Sequence, residues 1–345
     1  MSTRYGVSRA EVDALVAEWG EPRYRADQVW DALYRQQVTI EDASALPRAL
    51  RDRVAEALPL ALDPLVQQTA HDGMTSKWLW SCTRDDDQIE TVLMRYPERA
   101  TVCVSSQAGC AMACTFCATG QAGFQRHLDV GEIVEQVLRA AQASPQRVSN
   151  VVFMGMGEPL ANYDNTWAAV HRLHDDLGIS ARRITISTVG VAPAMRRLAQ
   201  EDLPVTLAVS LHAPTDAERS EIVPLNRRYP IAEVLDAAAE FAGAKGRRVT
   251  FEYACIAGVN DSAAQAEALG RLLGAFTGVG GAHVNLIPLN PTDGFGGHAP
   301  PVPSIRAFAD RLRGHGVAAT VRRNRGTDID AACGQLRSRE AMPSG

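Results

Sequence analysis

From residue 99 onward the chain alternates short apolar strands with stretches of helical spacing, and this alternation limits the possible folds more than any other feature. The strands read T-V-C-V-S, V-V-F-M-G, I-T-I-S-T, V-T-L-A-V-S-L, V-T-F-E-Y-A-C-I, H-V-N-L-I-P-L and A-A-T-V-R. Between them lie runs such as G-E-I-V-E-Q-V-L-R-A-A and S-I-R-A-F-A-D-R-L-R, whose apolar residues recur at helical spacing. Strand, helix and next strand joined by right-handed crossovers give a parallel sheet with helices outside it. About six such units fall short of the eight that close a (β/α)8 barrel. The expected fold is therefore α/β, a partial (β/α)6 barrel, with any site at the carboxyl ends of its strands.

The text before residue 99 has a different period. S-R-A-E-V-D-A-L-V-A-E-W and R-A-D-Q-V-W-D-A-L-Y read as short amphipathic helices, the first opened by a Ser cap. T-S-K-W-L-W-S-C-T and Q-I-E-T-V-L-M-R-Y, split by D-D-D, read as two strands joined by an acidic turn. The division expected is a helical N-terminal module over 1–64, a β-hairpin extension over 65–98, the barrel over 99–336 and a tail over 337–345. Residues 290–304, rich in Pro and Gly, form a long loop and a candidate lid.

No apolar run approaches the roughly 20 residues that span a bilayer, and the start carries no signal-peptide core. A cytoplasmic protein is expected. A net charge of −5 gives no global attraction to polyanions, so a nucleic-acid partner would need local basic patches. Of seven cysteines, four fall between Cys103 and Cys117, unlike a disulfide framework spread along a secreted domain. In a cytosolic chain such crowding points to metal or redox chemistry.

The segment G-C-A-M-A-C-T-F-C-A-T-G sets Cys110, Cys114 and Cys117 in a loop just after a strand. A [4Fe-4S] cluster usually takes four cysteines, so a set of three leaves one iron open to a substrate. Structural zinc wants four closed ligands, and the alternative of zinc with His127 or a distant cysteine lacks a usual spacing. With Phe116 as its aromatic residue, C-x-x-x-C-x-aromatic-C resembles the signature of radical S-adenosylmethionine (SAM) enzymes. I-E-T-V-L-M-R-Y, V-C-V-S-S-Q-A-G-C, F-M-G-M-G-E-P-L, V-S-L-H-A-P and R-G-T-D-I-D-A-A-C-G-Q-L carry the likeness further, across nearly the whole chain. Together they resemble the RlmN family, dual-specificity adenine C2 methyltransferases of 23S rRNA and tRNA.

The resemblance implies cluster ligation by Cys110, Cys114 and Cys117, and SAM contacts from Gly157, Glu158, Ser187, Ser210, Leu211, His212 and Asn290. Taken alone, G-x-G-E-P is only a turn and Ser187 only a strand-end hydroxyl; their order behind the triad gives them weight. Adenine C2 lies between two ring nitrogens and is too electron-poor to attack a methyl cation donor, whereas a carbon radical can add there. The scheme that the family implies uses two SAM molecules per turnover and an electron donor that the sequence leaves unidentified. One SAM methylates Cys333; a radical made from the second takes hydrogen from that methyl, and the methylene joins adenine C2. Glu90 is the implied proton acceptor. Cys103 is the implied resolving thiol, freeing product through a transient disulfide with Cys333.

Each of these residues has a plainer reading: Cys103, Cys333, Cys82 and Cys255 as core thiols, Glu90 as a solvated carboxylate on a strand. Local basic runs could meet RNA phosphates, foremost Arg322, Arg323 and Arg325 in V-R-R-N-R-G, with Arg23, Arg25 and Arg35 in the helical module. Two alternatives stand beside the C2 enzyme: a related C8-adenine rRNA methyltransferase conferring antibiotic resistance, and a non-enzymatic zinc-held RNA-binding protein.

Overall fold

The computed structural model describes residues 2–36, 38–274, 276 and 281–336. The expected tail, 337–345, lies outside them. Three helices open the chain: α1 (Arg9–Glu18), α2 (Tyr24–Tyr34) and α3 (Arg48–Ala57). Ser8 caps α1, as the sequence suggested, by accepting from the Glu11 amide, and the Glu11 carboxylate takes the Ser8 amide in return.

Strands β1 (Leu62–Thr69), β2 (Thr75–Cys82) and β3 (Gln88–Tyr96) form an antiparallel meander rather than a lone hairpin. The added strand, β1, shifts register between Pro64 and Val66 and exposes most of its residues. It is an end strand, where proline and polar residues are tolerated. The meander is not separate from the barrel, because β3 pairs antiparallel with β4 (Arg99–Cys103), the first barrel strand.

After β4 come a small hairpin, β5 (Gln107–Gly109) and β6 (Phe124–His127), with α4 (Ala118–Ala122) inside its loop, and then α5 (Val130–Gln142). The chain continues through β7 (Val148–Phe153), α6 (Tyr163–His171), β8 (Ile184–Thr188), α7 (Ala192–Gln200) and β9 (Thr206–Ser210). Next follow α8 (Asp216–Ile222), α9 (Ile231–Lys245), β10 (Val249–Cys255), α10 (Ala263–Gly274), β11 (Ala282–Pro288), α11 (Val302–Gly314) and β12 (Ala318–Val321). One ten-stranded sheet results, ordered β1-β2-β3-β4-β7-β8-β9-β10-β11-β12 and parallel from β4 onward. The six crossovers match the expected partial barrel. No described helix is long and apolar enough to cross a membrane.

Helix α5 fastens the meander to the barrel. Gln136 Oε1 accepts from Thr91 Oγ1 (2.9 Å) and the Ser105 amide (2.8 Å), and its Nε2 donates to the Ser105 carbonyl (3.0 Å). Beside it in sequence, the Glu135 carboxylate takes the Ala61 amide at 2.8 Å, just before β1. Both side chains are fully buried, so each bond replaces one that water would otherwise supply.

Candidate active site

Every residue implied for the site, Glu90 apart, lies at or beyond the carboxyl end of a parallel strand, and the backbone explains how the loops reach one another. Gly109 takes φ 72°, and a Cβ there would sit 2.0 Å from the Gly123 carbonyl oxygen, so only glycine lets the β5–β6 hairpin close around the cysteine loop. Gly157, at φ 97°, would place a Cβ 2.5 Å from that of Gln107. The segment carrying Cys333 is tied directly to the cysteine loop: the Ala118 amide donates to the Gly334 carbonyl (2.8 Å) and Thr119 Oγ1 to that of Leu336 (2.6 Å).

Two cavities meet at Cys333. The first, about 860 Å³, is walled by Cys114, Cys117, Gly157, Glu158, Ser187, Ser210, His212 and Asn290. The second, about 920 Å³, holds Cys103. Cys333 and Arg322 line both. Leu211 is buried beneath, and Cys110 lies beside the first cavity without lining it.

Burial keeps Cys110 and Cys114 protonated in the absence of a cation. It lifts the Cys110 thiol to about 12 and Cys114 well above the usual thiol range; for Cys114 the neighbouring Cys117 and Cys110 sulfurs add to that effect. The three are thus close enough to repel when ionised, although among the described residues no three His, Cys, Asp or Glu side chains gather as tightly as one ion requires. Three sulfur donors beside a cavity, without a fourth at a usual spacing, suit a cluster with one open iron.

Glu158 is fully enclosed. Its two oxygens accept the Leu160 amide (3.0 Å) and the Val189 amide (2.8 Å), leaving further lone pairs for a cationic ligand in the cavity. Burial raises its pKa to about 7 against the lowering effect of those amides. His212 sits at φ 62°, its Nδ1 accepts the Ala254 amide at 3.0 Å, and burial drops its pKa to about 3. The ring is therefore neutral with its proton on Nε2, a donor rather than a charge. Asn290 donates to the Cys333 carbonyl (2.9 Å) and accepts from Asn324 (2.6 Å), so it positions the Cys333 turn as well as lining the first cavity.

Glu90 lines neither cavity. It is buried on β3, its carboxylate 2.8 Å from Lys77 Nζ on β2, and Lys77 also reaches the Asp330 carbonyl (3.4 Å) in the Cys333 segment. Cys103 is buried, with its thiol raised to about 12 by burial first and by Cys333 second. Cys82 and Cys255 are buried away from both cavities, and burial pushes both thiols up, as the core reading expected. Arg322, expected on the surface as a phosphate contact, points inward: its guanidinium lies among Cys333, Glu252 and Cys103. The sequence reading passed over Lys77, Arg219 and Glu252. Glu252 is a buried carboxylate in the first cavity, 2.8 Å from Asn285 Nδ2. Its place among apolar β10 residues was the one available signal.

Comparison with known proteins agrees with this arrangement. The family model described as "Radical SAM superfamily" matches residues 104–268. A protein of Parafrankia sp. (strain EAN1pec), named "Probable dual-specificity RNA methyltransferase RlmN", is 53% identical, the match covering 96% of this chain and 90% of the relative. A protein of the same name from Frankia alni is 52% identical over 97% of this chain and 83% of its own. The crystal structure of a radical SAM methyltransferase from Sphaerobacter thermophilus superposes with a TM-score of 0.92 at 49% identity, covering 98% of this chain and all of that one. With near-complete coverage at about half identity, and with the triad and its cavity assembled on a six-crossover sheet, the chain belongs to the RlmN family of radical SAM, dual-specificity RNA methyltransferases.

Proposed function

We propose that this enzyme methylates C2 of a specific adenine in 23S rRNA and of the adenine beside the anticodon in tRNA, using two SAM molecules per turnover, in the cytoplasm. The observation that carries the reading is the position of Cys333 on the wall shared by two cavities, one with the triad and Glu158, the other with Cys103. A thiol that must accept a methyl group on one side and yield product to a second thiol on the other needs such a place.

Cys110, Cys114 and Cys117 would hold a [4Fe-4S] cluster, which when bound supplies the electron that cleaves SAM. Around it, Glu158 accepts from the SAM ammonium, with Gly157 allowing close backbone approach, and His212 Nε2, Ser187, Ser210 and Asn290 offer hydrogen bonds. Leu211 packs beneath. Cys333 takes the methyl and later bears the bond to adenine, Glu90 accepts the C2 proton, and Cys103 attacks the Cys333 sulfur, breaking its bond to the methylene carbon, so that the methylated adenine leaves and a Cys103–Cys333 disulfide remains for an external reductant. For Glu90 to act, its carboxylate must come within reach of the second cavity, by a shift of the Lys77 pair. Arg322 favours the thiolate form of Cys103 by its charge. The helical module (1–64) and the β-extension (65–98) would frame the barrel (99–336), and exposed Arg323 is a candidate RNA contact. An external one-electron donor is required.

The deciding experiment is mass spectrometry of adenosines from 23S rRNA and tRNA treated with the reconstituted enzyme. We expect 2-methyladenosine in both. 8-Methyladenosine would overturn the reading in favour of the resistance-type activity, and protein purified without air that binds zinc and lacks iron would overturn it in favour of an RNA-binding protein.

A further inference from the structure

Arg219, on α8, is an arginine with no exposed surface, and it is among the largest side chains fully enclosed in the molecule. Burying a guanidinium costs several kcal/mol unless its donors are met and its charge is answered. Its donors are met: Nε donates to the Leu211 carbonyl (3.0 Å), Nη1 to Asn226 Oδ1 (2.9 Å), and Nη2 to the carbonyls of Val189 (2.5 Å) and Ser210 (3.1 Å). All four acceptors are neutral. Among the described residues no carboxylate forms an ion pair with it; Asp216 acts from a distance, its Oδ1 already taking the Ile231 amide at 2.8 Å. Among the described residues the charge is thus answered only from a distance.

What lies over this charge is the cysteine loop. Cys114 packs in a small apolar cluster with Ala213, Ile222 and Val223, the turns that flank and follow Arg219 on α8. The Thr115 amide donates to the Ile222 carbonyl (3.1 Å), and the Val223 amide to the carbonyl of Arg219 itself (2.7 Å). Val189 and Ser210, two of the residues whose carbonyls Arg219 holds, line the first cavity together with Cys114 and Cys117. The cation is fixed by four bonds beneath the triad, with the apolar packing of Cys114, Ala213, Ile222 and Val223 beside it.

We propose that Arg219 is a positioning residue whose fixed, buried charge raises the reduction potential of the cluster held by Cys110, Cys114 and Cys117. The inference rests on the reading of that triad as a cluster site. Three thiolates give such a site a negative charge that grows when an electron is added, and the electrostatics around a cluster are among the quantities that set its potential. Glu158, on the same cavity, acts in the opposite sense, and Arg219 offsets it. The step affected is the one-electron reduction itself: an external reductant gives one electron to the oxidised cluster, with no bond made or broken in the protein. A unit charge several Å away at an effective dielectric near 20 changes that equilibrium on the order of tenfold or more.

The test uses the full chain reconstituted without air, as wild type, Arg219→Lys and Arg219→Gln. Iron and sulfide content and melting temperature are measured first. The fraction of reduced cluster is then read by electron paramagnetic resonance during titration with dithionite. Arg219→Gln should hold iron yet be reduced on the order of tenfold less at the same solution potential, while Arg219→Lys, which keeps the charge, should stay near wild type. Equal potentials in all three would overturn the inference. So would parallel shifts in Lys and Gln, or loss of iron from both, since either result would make the guanidinium a structural clip for the Val189 and Ser210 carbonyls. Absence of iron from the wild type would instead sink the cluster reading on which the inference rests.

Discussion

Cys114 is the most deeply buried of the triad, and its loss would leave the proposed cluster only two of its three protein sulfurs. Cys114→Ala should therefore lose most iron and sulfide on reconstitution, and near-normal content would contradict its place as a ligand. In the proposed scheme Cys103 acts only after carbon is joined to adenine. Cys103→Ala should accumulate a nuclease-sensitive protein–RNA adduct on denaturing gels, absent from Cys103→Ala/Cys333→Ala; normal turnover without adduct would return Cys103 to the core. The Lys77–Glu90 pair lends itself to a different measurement. Removing one partner of a buried ion pair typically costs 3–5 kcal/mol, because the other charge is left unpaired. Lys77→Met should lower the melting temperature more than Lys77→Met/Glu90→Gln does, and equal losses would show that the pair is not coupled. The triad stood out by its local spacing, and Glu158, Cys103 and Cys333 were singled out through the motifs that carry the family resemblance. Lys77 was not, since its meeting with Glu90 depends on the register between β2 and β3, and Arg219 was not, since a lone arginine in D-A-E-R-S-E-I reads as an exposed helix face.

At the scale of the element, α5 has the most to explain, because it buries two carboxylates and a glutamine while holding the meander against β4. Burial raises Glu135 from 4.5 to about 7, against the Ala61 amide and Arg139, which lower it. The folded chain thus holds this proton more tightly than the unfolded chain. Its linked stability is full below about pH 4.5 and is lost as pH rises through about 7. Glu135→Gln, which can still accept from the Ala61 amide, should gain on wild type between about pH 5 and pH 8, by at most about 3 kcal/mol. Melting curves at both values check this, and a difference that does not grow with pH would contradict it. The barrel strands were legible because short runs rich in Val, Ile and Leu alternate with stretches of helical spacing. Strand β1 escaped notice because L-D-P-L-V-Q-Q-T has only one buried residue, a composition that an end strand tolerates and a pattern search reads as loop.

On the scale of the molecule, the segment bearing Cys333 is clasped from the opposite end of the sheet. His71, in the turn between β1 and β2, donates its amide to Asp328 Oδ2 (2.9 Å) and sets Nδ1 2.8 Å from the same atom. Lys77 and the Gly334–Ala118 bond hold the rest. Asp328→Ala should loosen this segment, seen as faster limited proteolysis near Gly326 with little change in melting temperature; an unchanged cleavage rate would show that the clasp is redundant. The order of the sheet has a further consequence, for folding kinetics. Groups that must meet in the site are drawn from Cys103 to Cys333, and they arrive from six parallel strands, β4, β7, β8, β9, β11 and β12. Contacts of such sequence separation form late and slowly, since the entropy of closing each long loop is spent before any contact rewards it. The site thus cannot assemble on a partly folded chain. A population of this enzyme recovering from denaturant should regain its cavities only with its whole sheet, in a single slow phase, so that a destabilising substitution lowers the number of competent molecules and leaves each survivor intact.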